Sequence, residues 1–103
     1  MEKLAQLDLK RDRDESKNQS NLIKHEFDFA DAYRIFNLPM FVELDERENY
    51  GEDRFIAIGL LDGRVVVIVY TEPDAQTIRI ISLRKALSYE QKYYEQYLKN
   101  RLE

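Results

Sequence analysis

The stretch Arg54–Glu72, RFIAIGLLDGRVVVIVYTE, carries the strongest structural signal in the chain. Two runs rich in β-branched residues flank Asp62-Gly63, a pair suited to a two-residue type I′ hairpin turn. Such a turn fixes which residues oppose each other. Leu61 then pairs with Arg64, Ile58 with Val67, and Phe55 with Tyr70. Because faces alternate along a strand, one face carries Ile56, Ile58, Leu60, Val65, Val67 and Val69. These large, mostly β-branched residues predict a core face on which helices pack. The other face carries Phe55, Ala57, Gly59, Arg64, Val66, Ile68 and Tyr70, and reads as smaller and more polar.

Outward toward the C-terminus, Pro73–Gln76 reads as a four-residue loop before a third strand, TIRIISL. That length pairs Thr77 with Glu72 and sets Arg79 opposite Tyr70, while Ile78 and Ile80 join the core face. The second face then also holds Ile81 and Leu83. With Val66 and Ile68, that is too much apolar surface to leave wet. A helix of the same chain, a second copy or a partner is expected to cover part of it. Ser88 and Gln91 form a capping-box pattern opening a last helix, YEQKYYEQYLKNRL, in which Tyr94, Leu98 and Leu102 follow core spacing.

Toward the N-terminus, DERENYGED is a polar loop and Met40–Leu44 a candidate strand. Asp28 is placed to cap a helix, FADAYRIF, with Ala32, Ile35 and Phe36 facing inward and Pro39 ending it. Asp14–Glu26 reads as an earlier helix with Asp14 as its cap. Met1–Leu9 is an edge strand or a loose end. The whole is an α+β domain spanning residues 1–103.

The chain has no cysteine, which excludes disulfides, thiolate metal sites and cysteine nucleophiles. No His/Cys spacing, EF-hand pattern or glycine-rich phosphate loop points to a metal or cofactor. No long apolar run or signal-peptide pattern occurs, so a cytoplasmic protein without membrane contact is expected. The net charge of −4 argues against general nucleic-acid binding. Charge is uneven, however. Asn37–Thr77 holds nine acids and three bases, and Ile78 to the end holds six bases and three acids. A local basic surface is compatible with that distribution.

Four segments in order resemble the BrnT family. They are NLIKHEFDFADAYRIF, EDRFIAIG, VVIVYTE and RIISLRKALSYE, and they span roughly Asp12 to the end. Three positions depart from the family pattern: Arg13 stands for a usual Trp, Glu26 for a Gly, and Leu83 for an Ala. The resemblance implies a RelE-like fold of two N-terminal helices, a twisted antiparallel sheet of three to four strands and a C-terminal helix. It also implies an endoribonuclease toxin of a type II toxin–antitoxin system that cleaves mRNA and inhibits translation. The implied partner is a BrnA-like ribbon-helix-helix antitoxin, with DNA reached only through it, in a homodimer or hetero-oligomer. A non-catalytic module that binds the antitoxin and tunes its DNA binding is the alternative.

Metal-free RNA cleavage needs a base, an acid and cations for the phosphorane. Arg79 interrupts an apolar strand and is a candidate catalytic cation, with a solvated surface arginine as the plain alternative. Arg84 is a second, unless it merely pairs with Glu90 or another acid. The resemblance places Lys24 and His25 in the active region. His25, the only histidine, titrates near neutrality and is expected to act with Lys24, a phosphate-binding candidate, opposite Arg79 and Tyr70. The alternative for His25 is an ordinary helix-end residue. Glu52 either serves as a base or orients the phosphate-binding Arg54 through an ion pair, and Tyr70 is a further catalytic candidate. Tyr89, Tyr93, Tyr94 and Tyr97 either stack on unpaired bases or pack in the core.

Overall fold

The computed structural model describes residues 10–13, 17, 19, 22, 25 and 27–102. Strands β1 (Lys10–Arg13), β2 (Phe41–Leu44), β3 (Arg54–Leu61), β4 (Arg64–Asp74) and β5 (Thr77–Lys85) form one sheet in the order β1-β5-β4-β3-β2. Strands β2 to β5 are antiparallel; β1 pairs parallel to β5, so the sheet is mixed rather than purely antiparallel. Helix α1 (Phe29–Ala32) tightens into a 3₁₀ turn (Tyr33–Asn37), and α2 (Ser88–Arg101) closes the described chain.

The central hairpin has the expected register, with all three pairs as read. Its turn places Asp62 at φ 52° and Gly63 at φ 79°, the left-handed pair that a type I′ turn requires. Asp28 caps α1 as expected, its carboxylate accepting a hydrogen bond from the Ala30 N–H at 2.9 Å. Leu38 is extended because the following Pro39 excludes helical backbone there. Of the stretch read as an earlier helix, Lys17, Gln19, Leu22 and His25 are helical. Its Asp14 cap and Lys24, and the expectation for Met1–Leu9, lie outside the described residues.

The second hairpin corrects the reading. Strand β4 runs through Pro73 to Asp74, and the turn has two residues, Ala75 and Gln76. Asp74 closes it by accepting from the Gln76 N–H at 2.8 Å and the Thr77 hydroxyl at 2.9 Å. Two bulges follow. One takes up Glu72 and Pro73, where proline has no N–H to give the ladder; the other takes up Ile81. As a result Thr77 pairs with Asp74, Arg79 with Thr71, and Tyr70 with Ile80. Arg79 and Tyr70 therefore project from opposite faces, and Ile78 and Ile80 pack with Tyr70.

Both faces are covered, and the one read as smaller and more polar bears the deeper core. On it Ala57, Val66, Ile68, Tyr70 and Leu83 pack against Phe29, Ala32, Ile35 and Phe36. A helix of the same chain thus covers this face, one of the three expected covers. Gly59 is small because the turn comes close; a Cβ there would lie 2.7 Å from Ile35 Cγ2. Tyr70 is 2 % exposed, edge-on to Phe36 at 5.1 Å and stacked on Phe55 at 5.4 Å.

On the other face, Ile58 and Val67 pack with Tyr94, flanked by Tyr97 and Leu98 of α2. The Tyr94 hydroxyl donates to the Pro39 carbonyl at 2.7 Å, tying the helix to the start of β2. Leu102, expected inside, is 90 % exposed, because the helix has run past the sheet by that point. No side chain of Ser88 caps α2. The Glu90 carboxylate instead accepts from the Leu87 N–H at 2.8 Å, one residue earlier than the expected box.

Candidate RNA-binding face

The sheet ladder writes the face under α2 as rows, since directly opposed residues share a face. One row is Phe41–Ile58–Val67–Arg84, the next Glu43–Ile56–Val69–Ser82, and the next Arg54–Thr71–Arg79–Asp12, the last of these on β1. Helix α2 packs over the first. The arginine row lies two strand steps beyond, and Arg54 and Arg79 are half-buried.

Thr71, between the two arginines, is 1 % exposed. Its hydroxyl and the Nε of Arg54 are buried without a hydrogen-bond partner among the described residues. Two buried polar atoms left unpaired cost free energy, on the order of 1–3 kcal/mol each. The Arg54 guanidinium lies 4.0 Å over the Tyr50 ring. Tyr50, not an ion pair with Glu52, sets its direction; Glu52 is exposed on the adjoining loop.

Arg84 makes the pairing that its alternative reading described. Its Nη1 and Nη2 donate to the two Glu90 oxygens, each at 2.8 Å, and Nη1 also reaches the Lys85 carbonyl. Three of five N–H donors are engaged, which leaves Nε and one Nη2 hydrogen. These bonds, then the Leu87 N–H bond, hold the Glu90 carboxyl below the usual carboxylate range, against its own burial. Glu90 thereby fixes Arg84 and the start of α2 together.

Sequence reasoning missed Asp45 and Arg47, taking their loop for a solvated surface. The Asp45 side chain is 2 % exposed and grips Arg47 through two bonds of 2.7 Å. The Arg47 bond holds Asp45 down at about 2, against desolvation. Arg47 itself is 66 % exposed, and its charge is felt at Arg84. A buried carboxylate thus presents an outward cation beside the arginine rows. The Asp-x-Arg spacing of DERENY was the available signal.

Of the other expected residues, Lys24 lies outside the described ones. Tyr70 is in the opposite core, where burial, and then the charge of Glu72, push its phenol well above the ordinary range. His25 is helical and half-buried. Phe27, two residues on, is buried in the Tyr70-side cluster under the Arg64 guanidinium, 5.0 Å from its ring centre. The chain just beyond His25 therefore runs on the face opposite Arg79. Among the described residues no group of three His, Cys, Asp or Glu side chains could hold a metal ion. No helix among them is long and apolar enough to cross a membrane.

No curated relative matches the chain in sequence. Among solved structures it is similar to the Brucella abortus ribonuclease toxin BrnT. The two share 28 % identity and a TM-score of 0.61 over 78 % of this chain and 99 % of that one. The profile of the BrnT family, ribonuclease toxins of type II toxin–antitoxin systems, matches residues 14–90. That span covers α1, the whole antiparallel sheet and the first turn of α2, and the chain belongs to the BrnT ribonuclease toxin family.

Proposed function

We propose that this chain is an endoribonuclease that cuts mRNA at the Arg54–Thr71–Arg79 row and so inhibits translation in the cytoplasm. A BrnA-like ribbon-helix-helix antitoxin silences it, and DNA is contacted only through that partner. The observation that carries the reading is the pair of unsatisfied buried atoms, Thr71 Oγ1 and Arg54 Nε, beside two arginines on one face.

In this reading the ribose 2′-hydroxyl attacks the adjacent phosphorus, and the 5′-oxygen leaves. Arg54 and Arg79 hold the non-bridging oxygens, whose charge grows in the phosphorane, and Thr71 donates between them. Arg84, fixed by Glu90, adds a cation at the rim with Arg47. Glu52, on the loop leading into Arg54, takes the 2′-hydroxyl proton, and solvent water protonates the leaving 5′-oxygen. The side chains supply these groups without a metal or cofactor. His25 and Lys24 share in the chemistry only if the first helix reaches round the sheet to this row.

Expression tests the function as a whole. Induction of the chain alone should arrest growth and deplete intact mRNA, and co-expression of the antitoxin should restore both. Normal growth with intact mRNA, together with tight antitoxin binding, would replace the nuclease with a non-catalytic module.

A further inference from the structure

Next to the arginine row lies a pocket of about 270 Å³, enclosed by β2, the sheet and the first turns of α2. Its floor is apolar, made by Ile56, Ile58 and Val67. Tyr89 and Tyr93 form one wall, edge to face at 6.4 Å, and are 60 % and 61 % exposed. Two carboxylates line it, Glu43 and Glu90. Glu90 is spent on Arg84 and Leu87. Glu43 is exposed and, among the described residues, has no hydrogen bond or ion pair.

This combination suits one kind of occupant. A flat apolar slot with tyrosine edges accepts an aromatic ring by stacking. A carboxylate at its rim repels phosphate and accepts only from N–H or O–H donors. The Glu43 row is one step from the arginine row, about 7 Å along the strand, so base and phosphate of one nucleotide can occupy neighbouring rows. Of the four RNA bases at neutral pH, guanine alone presents two adjacent donors, N1–H and N2–H, to match both oxygens of a carboxylate. Adenine, cytosine and uracil would each turn a lone pair toward it.

We infer that this pocket holds a guanine adjoining the cleaved phosphate, with Glu43 reading its N1–H and N2–H and Tyr89 and Tyr93 flanking the ring. The inference rests on the RNA-cleaving reading of the neighbouring row, and it adds a specificity residue that takes no part in the bond-breaking step.

The test is binding, with uncleavable 2′-O-methyl adenine hexamers carrying one guanine at each position in turn. Wild type should bind the hexamer with guanine at one position about 10-fold more tightly than the all-adenine hexamer, within the range for a good bidentate contact. Glu43→Ala, with its melting temperature checked, should abolish that preference while keeping adenine binding, and Tyr93→Ala should weaken the guanine hexamer. Equal affinity for all hexamers, or a preference that survives Glu43→Ala, would overturn the inference. So would a Glu43→Ala variant that loses antitoxin affinity and no base preference, since the pocket would then be a protein-docking surface. Guanine-selective binding without cleavage of ordinary RNA would remove the nuclease reading and leave the pocket; no binding to any hexamer would remove both.

Discussion

Replacing Arg79 by Ala should lower RNA cleavage by about 10²–10³-fold, the scale on which one preorganised charge-stabilising group acts. The reason is position. Arg79 and Arg54 flank Thr71 in one ladder row, and Thr71 Oγ1 and Arg54 Nε are buried there without a hydrogen-bond partner among the described residues. Arg54→Ala should fall in the same range, while Arg79→Lys should recover little, because an ammonium lacks the planar fork. Two further variants test Tyr70 and His25 against this row. Tyr70→Phe and His25→Ala should cleave within about threefold of wild type, far short of the 10²–10⁴-fold an acid or base contributes. Measured rates on one RNA, with circular dichroism beside them, check all five. A normally folded Arg79→Ala variant cutting at the wild-type rate would remove this row from the chemistry. A collapse of activity in folded His25→Ala would bring the first helix into the site.

Phe36→Ala should cost about 3–5 kcal/mol of stability, as truncation of a buried aromatic does. Phe36 is 1 % exposed, meets Tyr70 edge-on and belongs to the larger of the two clusters. Domains of this size hold only about 5–15 kcal/mol in total, so the variant should be largely or partly unfolded at growth temperature. Urea denaturation measures the loss. Leu102→Ala, on a residue 90 % exposed, should shift it by less than about 0.5 kcal/mol. Equal effects at the two positions would mean that the face under α1 is not the principal core.

The central hairpin was legible because a two-residue turn with Asp62 and Gly63 in left-handed backbone admits one register. The neighbouring hairpin was not, because its register depends on bulges. Pro73 marked the irregularity, but as easily a loop as a bulge within β4, and nothing in the apolar run around Ile81 marks the second slip. Each slip turns every later side chain over, which moved Arg79 from the Tyr70 face to the Thr71 face.

The identity of the deeper core face was obscured differently. Ala57 and Gly59 make this face read as smaller and more polar, whereas their small size admits Ile35 and its turn. Arg79 is legible in the sequence as a cation interrupting an apolar strand, whereas Arg54 and Arg84 stand at a strand's start and end. Thr71 was invisible, since its importance arises only from its row. Asp45 and Arg47 were hidden by an acidic loop whose composition resembles solvated surface, although Asp45 is buried.

The most direct measurement is the end group left on RNA cut by the purified wild-type protein in EDTA. Attack by the ribose 2′-hydroxyl, with Arg54, Arg79 and Glu52 supplying charge and proton transfer, predicts undiminished cleavage that leaves a 2′,3′-cyclic phosphate and a 5′-hydroxyl. Loss of cleavage in chelator restored by Mg²⁺, with a 5′-phosphate on the product, would contradict it.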